Sequence, residues 1–302
     1  MGGVARAVAS VPIGRHRFAP DACVRPLGLS DHNRIRGYVL TGRLGRGGEA
    51  VVYRGQSRRT GPVAVKVLRT GGATAGRPGR CEHEFDMAGR VDQRFVMPPI
   101  EAGTSGAGPY LVSAYRPEYR SLAGHAPLGT RRLWQLAYAS ALAIAAMHAC
   151  GVIHCDIKPA NLLAFGSDVR LIDFGIARHA ADQPSTSDLI HCSRGWSAPE
   201  QLSAAPLTPA VDVFGWGCVM GYLAAGVTPF ASATFDEWAL RVRSVEADLS
   251  GLPDGLASLV HLALRRDPAR RPSAAYLAAA CRPAAAASGT DVRRGDCDRV
   301  AA

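Results

Sequence analysis

His154-Cys155-Asp156-Ile157-Lys158-Pro159-Ala160-Asn161-Leu162-Leu163 is the stretch on which the reading of this chain turns. An aspartate, a lysine and an asparagine stand at offsets of two and three residues inside an apolar frame. Asp156 can accept a hydroxyl proton, Lys158 can steady a transferring phosphoryl group, and Asn161 can offer its amide oxygen to a metal ion. Chance assembly of all three roles in so short a span is implausible.

Composition sharpens the point. Of 35 basic residues only Lys66 and Lys158 are lysine, and the only asparagines are Asn33 and Asn161. A chain that replaces lysine by arginine almost everywhere keeps lysine where a compact point charge differs in effect from a planar guanidinium fork. Three of these four rare residues fall inside motifs.

Downstream, Asp173 follows Asn161 by twelve residues in Leu171-Ile172-Asp173-Phe174-Gly175, an apolar run ending in a carboxylate and a glycine. By itself Asp-Phe-Gly is only a turn; after the 154–163 stretch it reads as a site for Mg²⁺ bridging phosphates. Upstream, Leu44-Gly45-Arg46-Gly47-Gly48-Glu49-Ala50-Val51-Val52-Tyr53 places glycines where backbone N–H groups can approach phosphate oxygens without a Cβ in the way. A Gly-rich hairpin is more often just a turn. Lys66, 21 residues after Gly45 in Val63-Ala64-Val65-Lys66, points either to solvent or at a ligand, and lysine scarcity favours the ligand. Glu84 on the next helix can pair with Lys66, although Glu82 competes for that role.

Organisation follows the same division. Residues 1–36 mix Pro, Gly, Arg and Ala without periodicity and are expected to form a mobile arm. From Tyr38 to Tyr53, and again from Val63 to Leu68 and Tyr110 to Tyr115, short β-branched or apolar runs predict antiparallel strands. The glycine-rich residues 69–80 are expected to be a flexible connection, and Phe85, Ala88 and Val91 recur at helical spacing. Beyond Leu122 the pattern turns helical, over 131–149, 211–225, 235–246, 255–265 and 273–281. Residues 283–302 read as a disordered tail. The expected fold is α+β, with two lobes meeting near residues 114–122.

At this point the ordered set resembles the eukaryotic-type serine/threonine protein kinase family, which also occurs in bacteria: Gly-x-Gly-Gly at Gly45, VAVK ending in Lys66, HCDIKPAN, DFG and Ala198-Pro199-Glu200. The resemblance covers roughly residues 37–282. It implies a bilobal fold, with a small antiparallel-sheet lobe carrying one main helix (about 37–113) and a larger, mostly helical lobe (about 114–282). ATP and Mg²⁺ are implied between the lobes. Leu44, Gly45, Gly47, Gly48, Val52, Ala64, Lys66, Glu84, Ser113, Ala114, Arg116 and Leu163 are implied to bind nucleotide, with Tyr110 to Arg116 as the adenine-contacting segment. The resemblance makes Asp156 and Lys158 catalytic, Asn161 and Asp173 metal ligands, and Asp212 and Arg271 fold-holding residues.

Departures from the family pattern matter as well. Ala50 replaces a third glycine. Cys155 stands where most members have an arginine that pairs with a phosphate on the activation segment, so phosphorylation at Ser185, Thr186 or Ser187 is not expected to be needed. Cys192 and Ser193 replace a usual Gly-Thr pair, leaving Ser193 as the hydroxyl to contact Asp156 and Lys158.

Several classes are excluded or demoted. At 47% hydrophobic and 20% charged, the chain is neither disordered throughout nor fibrous. The run Leu133 to Ala149 contains Gln135, Tyr138 and His148, which suits a buried helix better than a membrane span, and no secretory signal is evident. A cytoplasmic location is expected. Eight cysteines without a CxxC pair are expected to be free thiols. A net charge of +10 admits a polyanionic partner, but a basic solvated surface explains it equally, and no nucleic-acid partner is expected. The leading function is transfer of a phosphoryl group from ATP to serine or threonine hydroxyls of protein substrates. A small-molecule phosphotransferase of related fold and a catalytically dead scaffold are the alternatives.

Overall fold

The computed structural model describes residues 24–69, 79–182, 193–203, 205–244 and 246–287. Strands β1 (Arg34–Ile35), β2 (Tyr38–Arg46), β3 (Ala50–Ser57) and β4 (Gly61–Leu68) precede helix α1 (Arg80–Gly89), and β5 (Pro99–Ser105) and β6 (Gly108–Ala114) follow it. They form one antiparallel sheet in the order β1-β2-β3-β4-β6-β5. Strand β4 shows why: Val63, Val65 and Val67 are β-branched, stand two residues apart and are all buried, so one face of the pleat is a continuous apolar surface. Against it pack Ile35, Tyr38, Leu40, Tyr53, Tyr110 and Val112. The other face of β4 carries Ala64 and Lys66.

The second lobe holds β7 (Arg120–Ser121), α2 (Thr130–Ala149), β8 (Val152–Ile153), β9 (Leu162–Phe165), β10 (Asp168–Leu171) and β11 (Arg178–His179). These are followed by α3 (Ala210–Ala225), α4 (Phe235–Ser244), α5 (Asp254–Ala263) and α6 (Ala274–Ala287). Three short strands pair as β10-β9-β7 and two as β11-β8. Helix α3 is apolar on nearly every side and buried along most of its length, as a central helix must be. Its Gly215 lies so close to the loop before β9 that a Cβ would come within 2.9 Å of the Ile157 backbone oxygen.

The lobes are joined by the chain leaving β6 and by a second contact. Residues 95–97 bond to β10, through Leu171 N to Phe95 O at 2.8 Å and Met97 N to Leu171 O at 3.2 Å. Met87, Ala88 and Val91, at the C-terminal end of α1, belong to the core of the larger lobe.

Two boundaries differ from the sequence expectation. Order begins at least by Val24, not near Tyr38: Arg25 and Arg43 exchange backbone hydrogen bonds of 3.0 and 2.8 Å, and Asp31 accepts from the Tyr53 hydroxyl at 3.0 Å. Gly42 makes room for this, since a Cβ there would lie 2.3 Å from Val24 Cγ1. Composition gave no warning because the Arg25–Arg43 bonds are backbone bonds and the Asp31 bond depends on a partner 22 residues away. At the other end α6 runs to Ala287, five residues beyond the expected edge at 282, with Pro283 inside it. The rest of the expected arm (1–23), residues 70–78 of the expected connection and residues 288–302 of the tail lie outside the described residues, as do Ser185, Thr186, Ser187 and Cys192. Among the described residues Cys81, Cys150, Cys218 and Cys281 are free thiols, and no helix is long and apolar enough to cross a membrane.

Candidate active site

A cleft opens between the lobes. Its upper wall is Leu44, Gly45, Gly47, Ala50 and Val52 of the β2–β3 hairpin with Ala64 and Lys66 of β4. Ser113, Ala114 and Arg116 line its rear, and Leu163 and Asp173 its floor. Glu84 reaches it from α1. Of the residues implied to bind nucleotide, Gly48 alone does not line this cleft: Gly47 N bonds to Ala50 O at 2.8 Å, so Gly48 and Glu49 form the exposed apex of the turn. The cleft also contains Met97, Leu111 and Ile172, which the sequence reading did not single out. Alternation along β6 would have yielded Leu111, two residues before Ser113 on the same face; Met97 arrives on an irregular segment and carries no such signal.

At the inner end three charges converge. Lys66 Nζ donates to Glu84 Oε2 at 2.7 Å and to Asp173 Oδ1 at 2.6 Å. Glu84 is buried, at 5% exposure. Burial opposes charging these groups, and the outcome differs. For Lys66 and Asp173 the mutual attraction wins, raising Lys66 above the usual lysine range and holding Asp173 well below the usual carboxylate range, whereas burial, with the Asp173 charge nearby, pushes the Glu84 carboxyl up. Gly175 permits the approach, because a Cβ there would sit 3.3 Å from Glu84 Oε2 and 3.6 Å from Lys66 Nζ. Asp173 itself adopts φ 67°, a left-handed conformation uncommon for a non-glycine residue and typical of sites where the surroundings impose the backbone.

The loop from His154 to Asn161 forms a second cluster. Asp156 Oδ2 accepts from Lys158 Nζ at 2.6 Å and Asn161 Nδ2 at 3.0 Å, and Asp156 Oδ1 accepts from Ser193 Oγ at 2.7 Å. Lys158 Nζ also donates to Ser193 Oγ at 3.1 Å, so Ser193 makes both contacts expected of it. Three elements hold the loop. Asp212 of α3, buried, accepts from the backbone N–H groups of His154 and Cys155 at 2.8 Å each and from His148 Nε2 at 2.9 Å. That double acceptance accompanies the left-handed φ of 65° at Cys155. His154 Nε2 donates to Ile172 O at 3.1 Å, and Asn161 O accepts from Ile172 N at 3.1 Å, tying the loop to the approach to Asp173. Gln201 Nε2 donates to Cys155 O at 2.8 Å.

Below, Arg271 grips Glu200 with two bonds of 2.5 and 2.9 Å and lies over the Phe214 ring, fixing the Ala198-Pro199-Glu200 segment on α3.

Two oxygens in this assembly are left over. Both side-chain bonds of Asn161 are donated by Nδ2, and the one side-chain bond of Asp173 is to Oδ1. Among the described residues Asn161 Oδ1 and Asp173 Oδ2 thus accept no hydrogen bond. A hard cation that takes oxygen ligands fits such a pair. At the rear, the Arg116 backbone N–H likewise has no partner among the described residues. A cleft with a glycine-rich roof, a lysine between two carboxylates and an adjoining loop that sets an aspartate beside a hydroxyl has the parts a phosphotransferase needs; Asp156, Lys158 and Asn161 stand in that loop and do not line the cleft itself.

The comparisons agree. The protein kinase domain matches residues 38–280, and the chain belongs to the protein kinase family. It is 33% identical over 261 residues to the probable serine/threonine-protein kinase PkwA of Thermomonospora curvata, covering 85% of this chain and 35% of that protein. It is 31% identical over 267 residues to the serine/threonine-protein kinase AfsK of Streptomyces coelicolor, covering 86% and 33%. Over 252 residues it is 31% identical to the serine/threonine-protein kinase PknK of Mycobacterium bovis, covering 79% and 23%. The chain thus spans about a third or less of the length of these relatives.

Proposed function

We propose that this chain transfers the γ-phosphoryl group of ATP to serine or threonine hydroxyls of protein substrates. The observation that carries the proposal is the closed Lys66–Glu84–Asp173 cluster at the inner end of the cleft, with the Asp156–Lys158 loop tied to the approach to Asp173 through the Ile172 N to Asn161 O bond of 3.1 Å. Lys66, held by Glu84, is positioned to neutralise the inner phosphates. The Arg116 N–H and the backbone around Ala114 receive the adenine. Asn161 Oδ1 and Asp173 Oδ2 would hold Mg²⁺, which when bound supplies charge neutralisation between the phosphates. Asp156 orients the acceptor hydroxyl and takes its proton, and Lys158, already bridging Asp156 and a serine oxygen at 3.1 Å, steadies the charge on the moving group. No covalent intermediate with the protein is needed. The proposed use of ATP supports a cytoplasmic location for the reaction.

The test is incubation of the purified chain with labelled ATP, Mg²⁺ and a cell lysate, followed by identification of modified residues. Label on protein serines and threonines is expected. Label found only in small molecules, or none at all, would overturn the proposal.

A further inference from the structure

Glu49, at the apex of the β2–β3 turn, accepts a hydrogen bond from Arg80 Nη2 at 2.6 Å across 31 residues of sequence. The same glutamate's backbone oxygen accepts from Arg69 N at 2.8 Å, so both ends of the residue are held. Arg80 is the first residue of α1. Its position is poor for the helix: Gly79 before it is left-handed and provides no side-chain cap, and a cation at a helix N-terminus opposes the macrodipole. The residue is therefore explained by what it touches. Arg80 and Glu84 are four residues apart, on one face of α1. One face of one helix thus contacts the tip of the glycine turn through Arg80 and the Lys66 ammonium through Glu84.

We propose that the Glu49–Arg80 ion pair is a latch coupling the glycine turn to α1, so that Arg80 and Glu49 are positioning residues for nucleotide binding. The turn closes over the phosphates only when α1 stands where Glu84 meets Lys66. This rests on the nucleotide reading above. An ordinary surface pair of this exposure would brace the fold slightly and leave nucleotide affinity alone.

The experiment is calorimetric titration of the full chain with a non-hydrolysable ATP analogue and Mg²⁺, for wild type, Glu49→Gln, Arg80→Gln, the double variant and Arg80→Lys. Each single variant should bind about threefold to fivefold more weakly, in line with an exposed-pair coupling expressed in binding. The double variant should be no weaker than either single one, and Arg80→Lys, which keeps the charge, should stay within about twofold of wild type. The gap between wild type and double variant should close near 1 M salt, where the Debye length is about 3 Å. Unchanged affinity in the single variants, multiplicative losses in the double variant, or a gap that persists in salt overturns the latch. A wild type that binds no analogue overturns the nucleotide reading instead, so the two failures are distinguishable.

Discussion

Lys66 is one of two lysines among 35 basic residues, and its ammonium lies within 2.7 Å of two carboxylates in a site where a planar guanidinium cannot take its place. Lys66→Arg is therefore expected to lower turnover more than tenfold, at least 1.4 kcal/mol of barrier, with the melting temperature little changed. Retention of activity within about threefold would refute its placement on the phosphates. Asp156 and Asp173 are both aspartates, but their partners differ. Asp156 is ringed by Lys158, Asn161 and Ser193, and Asp173 by Lys66. Asp156→Asn should reduce turnover by roughly 10² to 10⁴ with nucleotide affinity preserved, whereas Asp173→Asn should raise the Mg²⁺ concentration needed for half-maximal rate. Indistinguishable Mg²⁺ titrations of the two variants would show the division of roles to be wrong.

Elements differed in how far the sequence disclosed them. Strand β4 and helices α2 and α3 were legible because burial on one face, or on all faces, leaves a periodic record in residue type. Strand β5 was not: Pro99, Ala102 and Gly103 are poor strand formers, and the strand exists because it pairs with β6. Local propensity does not report such tertiary support. The same holds for the chain near Val24 and for Met97. The motif residues were legible for the opposite reason, since their chemistry tolerates few substitutes, yet Gly48, chosen by the same motif, sits on the outside of the turn. What β5 lacks in propensity it regains through Glu101, whose carboxylate accepts from Tyr38 Oη at 2.9 Å and from Tyr110 Oη, binding β2, β5 and β6 together. The Tyr110 bond in particular holds the Glu101 carboxyl below its usual range, and burial with Glu101 raises the Tyr110 hydroxyl to about 12. A carboxyl depressed by folding adds stability above its unfolded pKa of about 4.3, and that stability is lost as pH falls through the folded value. A phenol raised by folding adds stability that is lost as pH climbs past 10 towards 12. Chemical denaturation at pH 7 and pH 3 should show a smaller acid loss for Glu101→Gln than for wild type. Tyr110→Phe should cost about 1–3 kcal/mol at pH 7. An unchanged acid loss in Glu101→Gln would disprove the bracing.

On the scale of the whole molecule, the buried Glu200–Arg271 pair joins the segment after Ser193 to α3, with side-chain exposures of 6% and 0%. Arg271→Met strands a buried carboxylate, at a cost of about 3–5 kcal/mol. For a chain of this size the melting temperature should fall by roughly 6–20 °C, and a fall under about 2 °C would show that the pair is not structural support. The catalytic loop, by contrast, is held from within by Asp212, Gln201 and Ile172. Arg194 is committed to Ser232 O at 2.8 Å, and Cys155 offers no positive charge. A variant with alanine at 185, 186 and 187 is accordingly expected to keep its initial rate within tenfold, and phosphatase-treated wild type likewise; a larger drop in either would show that a phosphate is required. A last consequence concerns α1. Its far end, at Met87, Ala88 and Val91, is embedded in the larger lobe, and the chain beyond it is stitched to β10 at Leu171. Its first turn is held by Arg80 to Glu49, by His83 Nε2 donating to Ala177 O at 2.7 Å, and by Glu84 to Lys66. Ten residues at 1.5 Å each make a lever about 15 Å long, with its fulcrum in the larger lobe. A displacement at residue 80 therefore has to strain the His83 and Glu84 contacts together, whereas residue 89 stands where the helix is already packed into the larger lobe.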